Sequence, residues 1–157
     1  MTNSPSIHQL SAQFQKDGFA ILPNKIPAET LAQVKAEIDR FVDEYQPDEH
    51  SSVFRTDTRD KDRDEAFLTS ANGVHGFLEA GAFDDHGILQ VPKNQCLNKI
   101  GHAMHDLLPQ FGQLARSSMI KQAFTIGGHE STHIVQSMVI FKQPKIGGVV
   151  RWHQDAS

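Results

Sequence analysis

Residues 133–141, His133-Ile134-Val135-Gln136-Ser137-Met138-Val139-Ile140-Phe141, are rich in β-branched and apolar side chains without a clean alternation. No other stretch restricts the fold as much. A half-buried strand alternates apolar and polar side chains, one set to each face. A strand apolar on both faces must be covered on both, which puts it in the middle of a layered structure. Pro144 and the pair Gly147-Gly148 then make a turn, and residues 149–155 read as the next strand. The sequence thus ends in a sheet, and the rest of the chain must supply the cover.

That cover is legible upstream as helices. Ile7, Leu10 and Phe14 recur at helical spacing over residues 6–16, and Asp17-Gly18 ends that segment. Phe19-Ala20-Ile21-Leu22 reads as a short buried strand. Pro27 suits a helix start, and Leu31, Val34, Ile38, Phe41 and Val42 form one apolar stripe behind it. Residues 46–65 are polar and dense in charge, as in Arg59-Asp60-Lys61-Asp62-Arg63-Asp64-Glu65, and read as a solvated loop. Residues 83–89 read as a turn leading into a strand. The spacing of Leu97, Ile100, Met104 and Leu107 predicts a helix over residues 94–108, interrupted by Pro109, with a further helix over 110–124. Helices first and strands after give an α+β fold class.

Composition serves mainly to exclude. At 157 residues, with 38% hydrophobic and 22% charged side chains, the chain is long enough for one ordinary domain with a real core. The net charge of -4 is spread without a basic stripe, so no nucleic-acid partner is expected. No apolar run is long enough for a membrane span. The start, Met1-Thr2-Asn3-Ser4-Pro5-Ser6, lacks the basic-then-apolar layout of a secretory signal. The single cysteine, Cys96, has no internal disulfide partner, which suits a reducing, cytoplasmic setting. Nothing in the sequence sets an oligomeric state.

The residues able to carry chemistry gather late. His153 and Asp155 stand two apart on the strand expected over 149–155, so both point to one side while Gln154 faces away. An imidazole and a carboxylate so placed are two of the three protein ligands in the facial triad of non-haem Fe(II) oxygenases. Spacing alone leaves a second reading open, a His and an Asp hydrogen-bonded at a strand end. His129-Glu130-Ser131-Thr132-His133 matches the H-E-x-x-H pattern of zinc hydrolases, in which a helix puts both histidines on one face and the Glu acts as base. Gly127-Gly128 just upstream, and β-branched Thr132, Ile134 and Val135, favour a loop-to-strand transition instead. Extended, the two histidines would stand about 13 Å apart at about 3.3 Å per residue. His102 and His105, with Lys99 just before them, either converge on one ligand or are half-exposed histidines of the helix expected there. Cys96 reads as a packed residue on that helix. There is no phosphate loop, dinucleotide fingerprint or G-x-S-x-G elbow.

These pieces join in one family pattern. The run Gln136-Ser137-Met138-Val139-Ile140-Phe141-Lys142-Gln143-Pro144, then Gly147-Gly148 and His153-Gln154-Asp155-Ala156-Ser157, resembles the phytanoyl-CoA dioxygenase family, and most of all its branch of phytanoyl-CoA dioxygenase domain-containing proteins. Asp17-Gly18-Phe19, Phe83-Asp84 with Gly87, and Asn98-Lys99-Ile100-Gly101-His102-Ala103-Met104-His105 extend the likeness over nearly the whole chain in the family's order.

The resemblance implies helices packed on a double-stranded β-helix, or jelly-roll, with residues 1–157 forming the N-terminal part of a single domain. It implies Fe(II), 2-oxoglutarate as cosubstrate and O2, acting to hydroxylate a small organic or acyl substrate. Carried over by position, His153 and Asp155 are iron ligands, and Lys99 and Met138 line the 2-oxoglutarate site. A lysine ammonium can pair with a cosubstrate carboxylate, and Met138 offers an apolar wall. From the sequence by itself Lys99 passes for a surface charge. The carboxylate at Asp155 is the hydroxylase pattern, since halogenating relatives carry a small residue there. The family's second iron-binding His and its carboxylate-clamping Arg lie downstream of the His-x-Asp pair, whereas this sequence ends two residues after Asp155. The chain is therefore expected to be the N-terminal half of a longer protein, weak in iron binding and inactive by itself, with an open sheet edge that favours self-association. Two readings of other classes stand beside the oxygenase. One is a zinc hydrolase built on His129, Glu130 and His133, and the other is a non-catalytic binding module.

Overall fold

A computed structural model of the chain describes residues 5–47, 51–54 and 69–150. The first helix, α1 (Ile7–Asp17), begins at a reciprocal cap. Ser6 Oγ accepts the Gln9 N–H at 3.3 Å, and Gln9 Oε1 accepts the Ser6 N–H at 2.8 Å. It ends at Gly18, whose φ of 78° is the left-handed conformation that only glycine adopts without cost. The strand expected over residues 19–22 does not form, and Phe19 and Ile21 are exposed. Four apolar residues make a strand only where another strand receives them, and among the described residues none does.

The second helix, α2 (Ala28–Glu44), follows Pro27 as expected. Its apolar stripe is only half-buried, with Leu31 exposed, and its one fully buried residue is Glu37. That inversion has a cause in the next layer. Glu37 Oε2 accepts the Gln110 N–H at 3.2 Å, satisfying an otherwise orphaned donor in the first turn of another helix. Its other oxygen meets Arg40 Nη2 at 3.5 Å.

Among the described residues four strands form one sheet in the order β1-β2-β3-β4. They are β1 (Val53–Phe54), β2 (Val74–Glu79), β3 (Leu97–His102) and β4 (Ser137–Ile140). β1 pairs parallel to β2, and the other pairings are antiparallel. β1 falls inside the region expected to be loop over 46–65. Its Ser52 carbonyl accepts the Leu78 N–H at 2.8 Å, so backbone pairing overrides a polar composition there. Residues 48–50 and 55–68 lie outside the described residues.

The largest departure from the sequence reading is at 94–108. The region expected to be one helix is a central strand, β3, followed by a single helical turn, α3 (Met104–Leu107). All six residues of β3 are buried. A strand covered on both faces shows no alternation, and the chance spacing of Leu97, Ile100 and Met104 then imitates a helix. Gly101 in mid-segment, a poor helix residue, was the contrary signal. The helix expected over 110–124 is two, α4 (Pro109–Ala115) and α5 (Ser118–Ile126), with Pro109 as the first residue of α4. Ser117 restarts the chain by accepting the Ile120 N–H at 3.4 Å.

β4 is shorter than the apolar run that suggested it. Val135 is 89% exposed and Ile140 is exposed. Among the described residues β4 pairs with β3 alone, so the expectation of a strand covered on both faces is not met. Residues 149–150 are not in a strand, and 151–157 lie outside the described residues.

The core lies where α2 crosses the sheet. Leu78, Ala82, Cys96 and Leu97 are buried there against Val42 and Tyr45. Gly76 makes the crossing possible, because a Cβ at that position would stand 2.5 Å from the Tyr45 ring. The Tyr45 hydroxyl lies 3.4 Å from the Gly76 carbonyl oxygen and 3.2 Å from Ser51 Oγ. Phe41 stacks on the same ring at 5.8 Å between centroids. Helices and a mostly antiparallel sheet thus share one core, as the α+β class requires. No helix among the described residues is long and apolar enough to cross a membrane.

Candidate functional site

The sheet register decides which side chains can meet. In antiparallel strands, directly opposed residues point to the same face. Lys99 is opposed to Phe77 on β2 and to Ile140 on β4, and Gly101 is opposed to His75 and Met138. One face of the sheet therefore carries Phe77, Lys99, Gly101, Met138 and Ile140. The intervening positions, Gly76, Ile100 and Val139, belong to the other face, where Tyr45 packs. The register slips between Phe77 and Leu78, where Leu78 meets Leu97 and Asn98 is left over. This bulge lets Leu97 join the core beside Tyr45 while Lys99 turns to the opposite face.

Lys99 and Met138, far apart in sequence, thus lie on one face of adjacent strands as diagonal neighbours, about 7–8 Å apart at the backbone. A Cβ built on Gly101 would stand 3.4 Å from Met138 Cβ, so the bare glycine leaves the Met138 side chain room beside Lys99. Lys99 is not the surface charge that its sequence context suggested, since it is only 7% exposed. Lysine is almost never buried without compensation. One part of that compensation is the Phe77 ring, whose centroid lies 5.8 Å from Nζ.

His102 completes the cluster. Its ring lies 5.2 Å from that of Phe77, and its Nδ1 is 2.9 Å from Ser70 Oγ. Burial pushes the imidazole pKa down, the positive charge of Lys99 and then His75 push it further, and the Ser70 contact opposes them. His105 is buried too, with Nδ1 2.8 Å from Ser137 Oγ, which donates to the His102 carbonyl at 3.3 Å. The two histidines therefore do not converge on one ligand from a helix face. Each faces a different serine, and Ser137 links the turn at His105 to the strand that carries Met138. Cys96 is packed as expected, but beside β3 and not on a helix, and burial raises its thiol pKa.

The H-E-x-x-H match lacks the geometry it needs. Gly127 and Gly128 form a turn, residues 129–133 are not helical, and both His129 and His133 are exposed. The two imidazoles do not share a helix face, and the zinc-hydrolase alternative is set aside. Among the described residues no group of three or more His, Cys, Asp or Glu is placed to hold a metal. His153 and Asp155 lie outside the described residues. A cavity of about 720 Å³ opens near Pro47, Val53, Leu78, Phe83 and Asp84, but neither Lys99 nor Met138 lines it.

The donor chemistry can be tested against the expected groups. A buried ammonium beside the Phe77 ring, on a sheet face that also carries Met138, has the chemistry to take an anionic group with an apolar flank. It fits a keto acid's carboxylate and repels a cation. One imidazole and one carboxylate are borderline and hard donors of the kind that suit Fe(II).

Sequence reading missed the polar residues that brace this cluster, namely Ser70, Ser137, His102 as a buried group, and Glu79. The signal for Glu79 was available, because an acid closing the apolar run Phe77-Leu78 has no reason to be there unless something binds it.

A family model for phytanoyl-CoA dioxygenase matches residues 14–157. A phytanoyl-CoA dioxygenase domain-containing protein 1 homolog from Caenorhabditis briggsae is 41% identical over 150 residues, which cover 94% of this chain and 52% of that protein. The Bos taurus phytanoyl-CoA dioxygenase domain-containing protein 1 is 36% identical over 150 residues, covering 92% and 52%. A phytanoyl-CoA dioxygenase from Arabidopsis thaliana is 33% identical over 144 residues, covering 92% and 50%. The chain spans about half the length of the curated relatives it matches.

Proposed function

This chain belongs to the phytanoyl-CoA dioxygenase family, and from that membership we propose that the protein is an Fe(II)- and 2-oxoglutarate-dependent hydroxylase of a small organic or acyl substrate. The fold of the whole domain is then a jelly-roll, to which the sheet described above contributes. The observation that carries this reading is the meeting of Lys99 and Met138 on one face of β3 and β4, with the lysine buried.

In this proposal His153 and Asp155 hold the iron, the neutral imidazole and the carboxylate each giving one donor. When bound, iron with 2-oxoglutarate and O2 supplies the oxidising equivalent that hydroxylates a C–H bond, the keto acid leaving as succinate and CO2. The residues of this chain do the positioning. The Lys99 ammonium pairs with a cosubstrate carboxylate, and its burial strengthens that pairing by keeping water away. Met138 and Phe77 supply apolar cover on either side of the charge. Ser70 and Ser137 fix His102 and His105, so that β3 presents Lys99 from a rigid backbone.

Trp152 is the chain's single tryptophan and precedes His153 directly, so its emission reports on metal bound there. Anaerobic Fe(II) is expected to quench Trp152, and His153→Ala or Asp155→Ala to abolish the quenching. Lys99→Met is expected to leave the iron response intact and to weaken 2-oxoglutarate binding to the iron-loaded protein by about tenfold or more, since a charge-assisted hydrogen bond contributes roughly 1.5–3 kcal/mol. Quenching that survives both ligand substitutions would refute the assignment.

A further inference from the structure

One buried carboxylate joins the two parts of the molecule that the proposed function uses. Glu79 closes β2 and is only 3% exposed. Its Oε2 accepts the Asn98 Nδ2–H at 2.7 Å, and its Oε1 accepts the Gly148 N–H at 2.8 Å. Asn98 is the leftover residue of the β3 bulge and the immediate neighbour of Lys99. Gly148 stands five residues before His153. We infer that Glu79 is a positioning residue of the iron and 2-oxoglutarate site, fixing the chain that leads into His153-x-Asp155 onto the strand that carries Lys99. This rests on the function proposed above.

The surroundings of Glu79 favour that role. The chain from Phe141 to Gly148 folds back across the ends of β2 and β3. The Phe141 N–H donates to the Asn98 carbonyl at 2.8 Å, and the Gly147 N–H donates to that of Gln143 at 3.0 Å. Lys142 Nζ donates to the Gly148 carbonyl. Gly81 lets the returning chain come close, since a Cβ there would stand 2.8 Å from the Ile146 carbonyl oxygen. The backbone of Gly148 is therefore held from both sides, by Glu79 at its N–H and by Lys142 at its C=O. The choice of a carboxylate is informative. Ionised, it is acceptor-only, so it can hold two donors at once and presents no hydrogen of its own to satisfy. A glutamine in its place keeps both contacts if the Asn98 amide turns to accept through Oδ1, whereas an apolar side chain strands both donors.

That difference provides the test. Glu79→Leu loses both bonds. Glu79→Gln keeps both, because its amide oxygen accepts from Gly148 while its NH2 donates to the Oδ1 of a turned Asn98 amide. Two quantities are read on the purified chain. One is amide hydrogen exchange over residues 146–150, and the other is apparent Fe(II) affinity from Trp152 quenching, as a ratio to wild type. Glu79→Leu is expected to speed exchange at Gly148 and to weaken Fe(II) binding, each by about tenfold, while the thermal transition stays cooperative. Glu79→Gln is expected to keep both quantities within about twofold of wild type. Exchange at Gly148 that does not change in Glu79→Leu overturns the inference whether or not iron binds. So does an iron affinity of Glu79→Leu equal to wild type, a Glu79→Gln chain as impaired as Glu79→Leu in either quantity, or a Glu79→Leu chain that simply unfolds, which would make the role structural. Failure of the underlying functional reading is recognised separately, as a wild-type chain whose iron response is indifferent to His153→Ala while the exchange effect of Glu79→Leu persists.

Discussion

Protonation of His102 would bring a second positive charge into a buried cluster that already holds Lys99. Its folded pKa is lowered, first by burial and then by Lys99 and His75. The unfolded chain, with an ordinary value of about 6.5, therefore binds a proton more readily than the folded one. Stability from this source is present in full above the unfolded value and falls as pH drops below it. His102→Gln removes that dependence. Its melting temperature is expected to fall less steeply than that of wild type between about pH 7 and about pH 5, and scanning calorimetry across that range measures the difference. A steeper fall in the variant would mean that His102 takes up its proton more readily in the folded chain, the reverse of what its burial beside Lys99 requires. At this scale the sequence offered residue identities but not environments. Lys99 and Met138 were singled out through the family likeness, whereas burial of Lys99 depends on β3 being central, which no local pattern records. His102 was visible as a histidine and mistaken for a helix residue.

Elements were legible where local chemistry terminates them. Gly18, Pro27 and Pro109 each mark a real helix end, because caps and prolines act through the nearest turn of backbone. Elements that depend on distant partners were not. β3 looked helical, β1 looked like loop, and 19–22 looked like strand, since pairing across the sheet decides all three. Glu37 shows the same division. It lies mid-helix in α2, where a sequence pattern assigns it to solvent, yet it is buried because α4 begins beside it. Glu37→Ala is expected to destabilise the fold by about 1–3 kcal/mol, leaving a part-buried donor of α4 without its protein partner. Glu37→Gln keeps an acceptor and is expected to cost less. Urea denaturation of the two variants checks the order, and an alanine variant as stable as wild type would show that the cap contributes nothing.

At the scale of the whole molecule, the described residues form a sheet whose strand β3 is sealed between its neighbours, with the end of α2 packed against the core. Opening free energies follow such burial. Amide exchange is expected to be slowest in residues 97–102, which pair on both edges and are wholly buried, and fastest over 19–26, where no ladder protects the backbone. Mass-spectrometric exchange resolves both segments, and equal protection of the two would be incompatible with this arrangement. The α+β class and the family were readable at this scale because colinear motifs from Asp17 to Asp155 accumulate over the full chain. The strand order was not, because β1 and the true extent of β3 carry no periodic signature.

The Tyr45–Gly76 contact bears on how sequences of this shape can diverge. An aromatic ring resting on bare backbone couples two positions that no linear motif connects. Drift at position 76 is blocked as long as the tyrosine remains, and a lineage that replaces the ring with something smaller releases the constraint. Substitutions at 45 and 76 should therefore be inherited as a pair, a correlation that a deep alignment of descendants would reveal without a single purified sample.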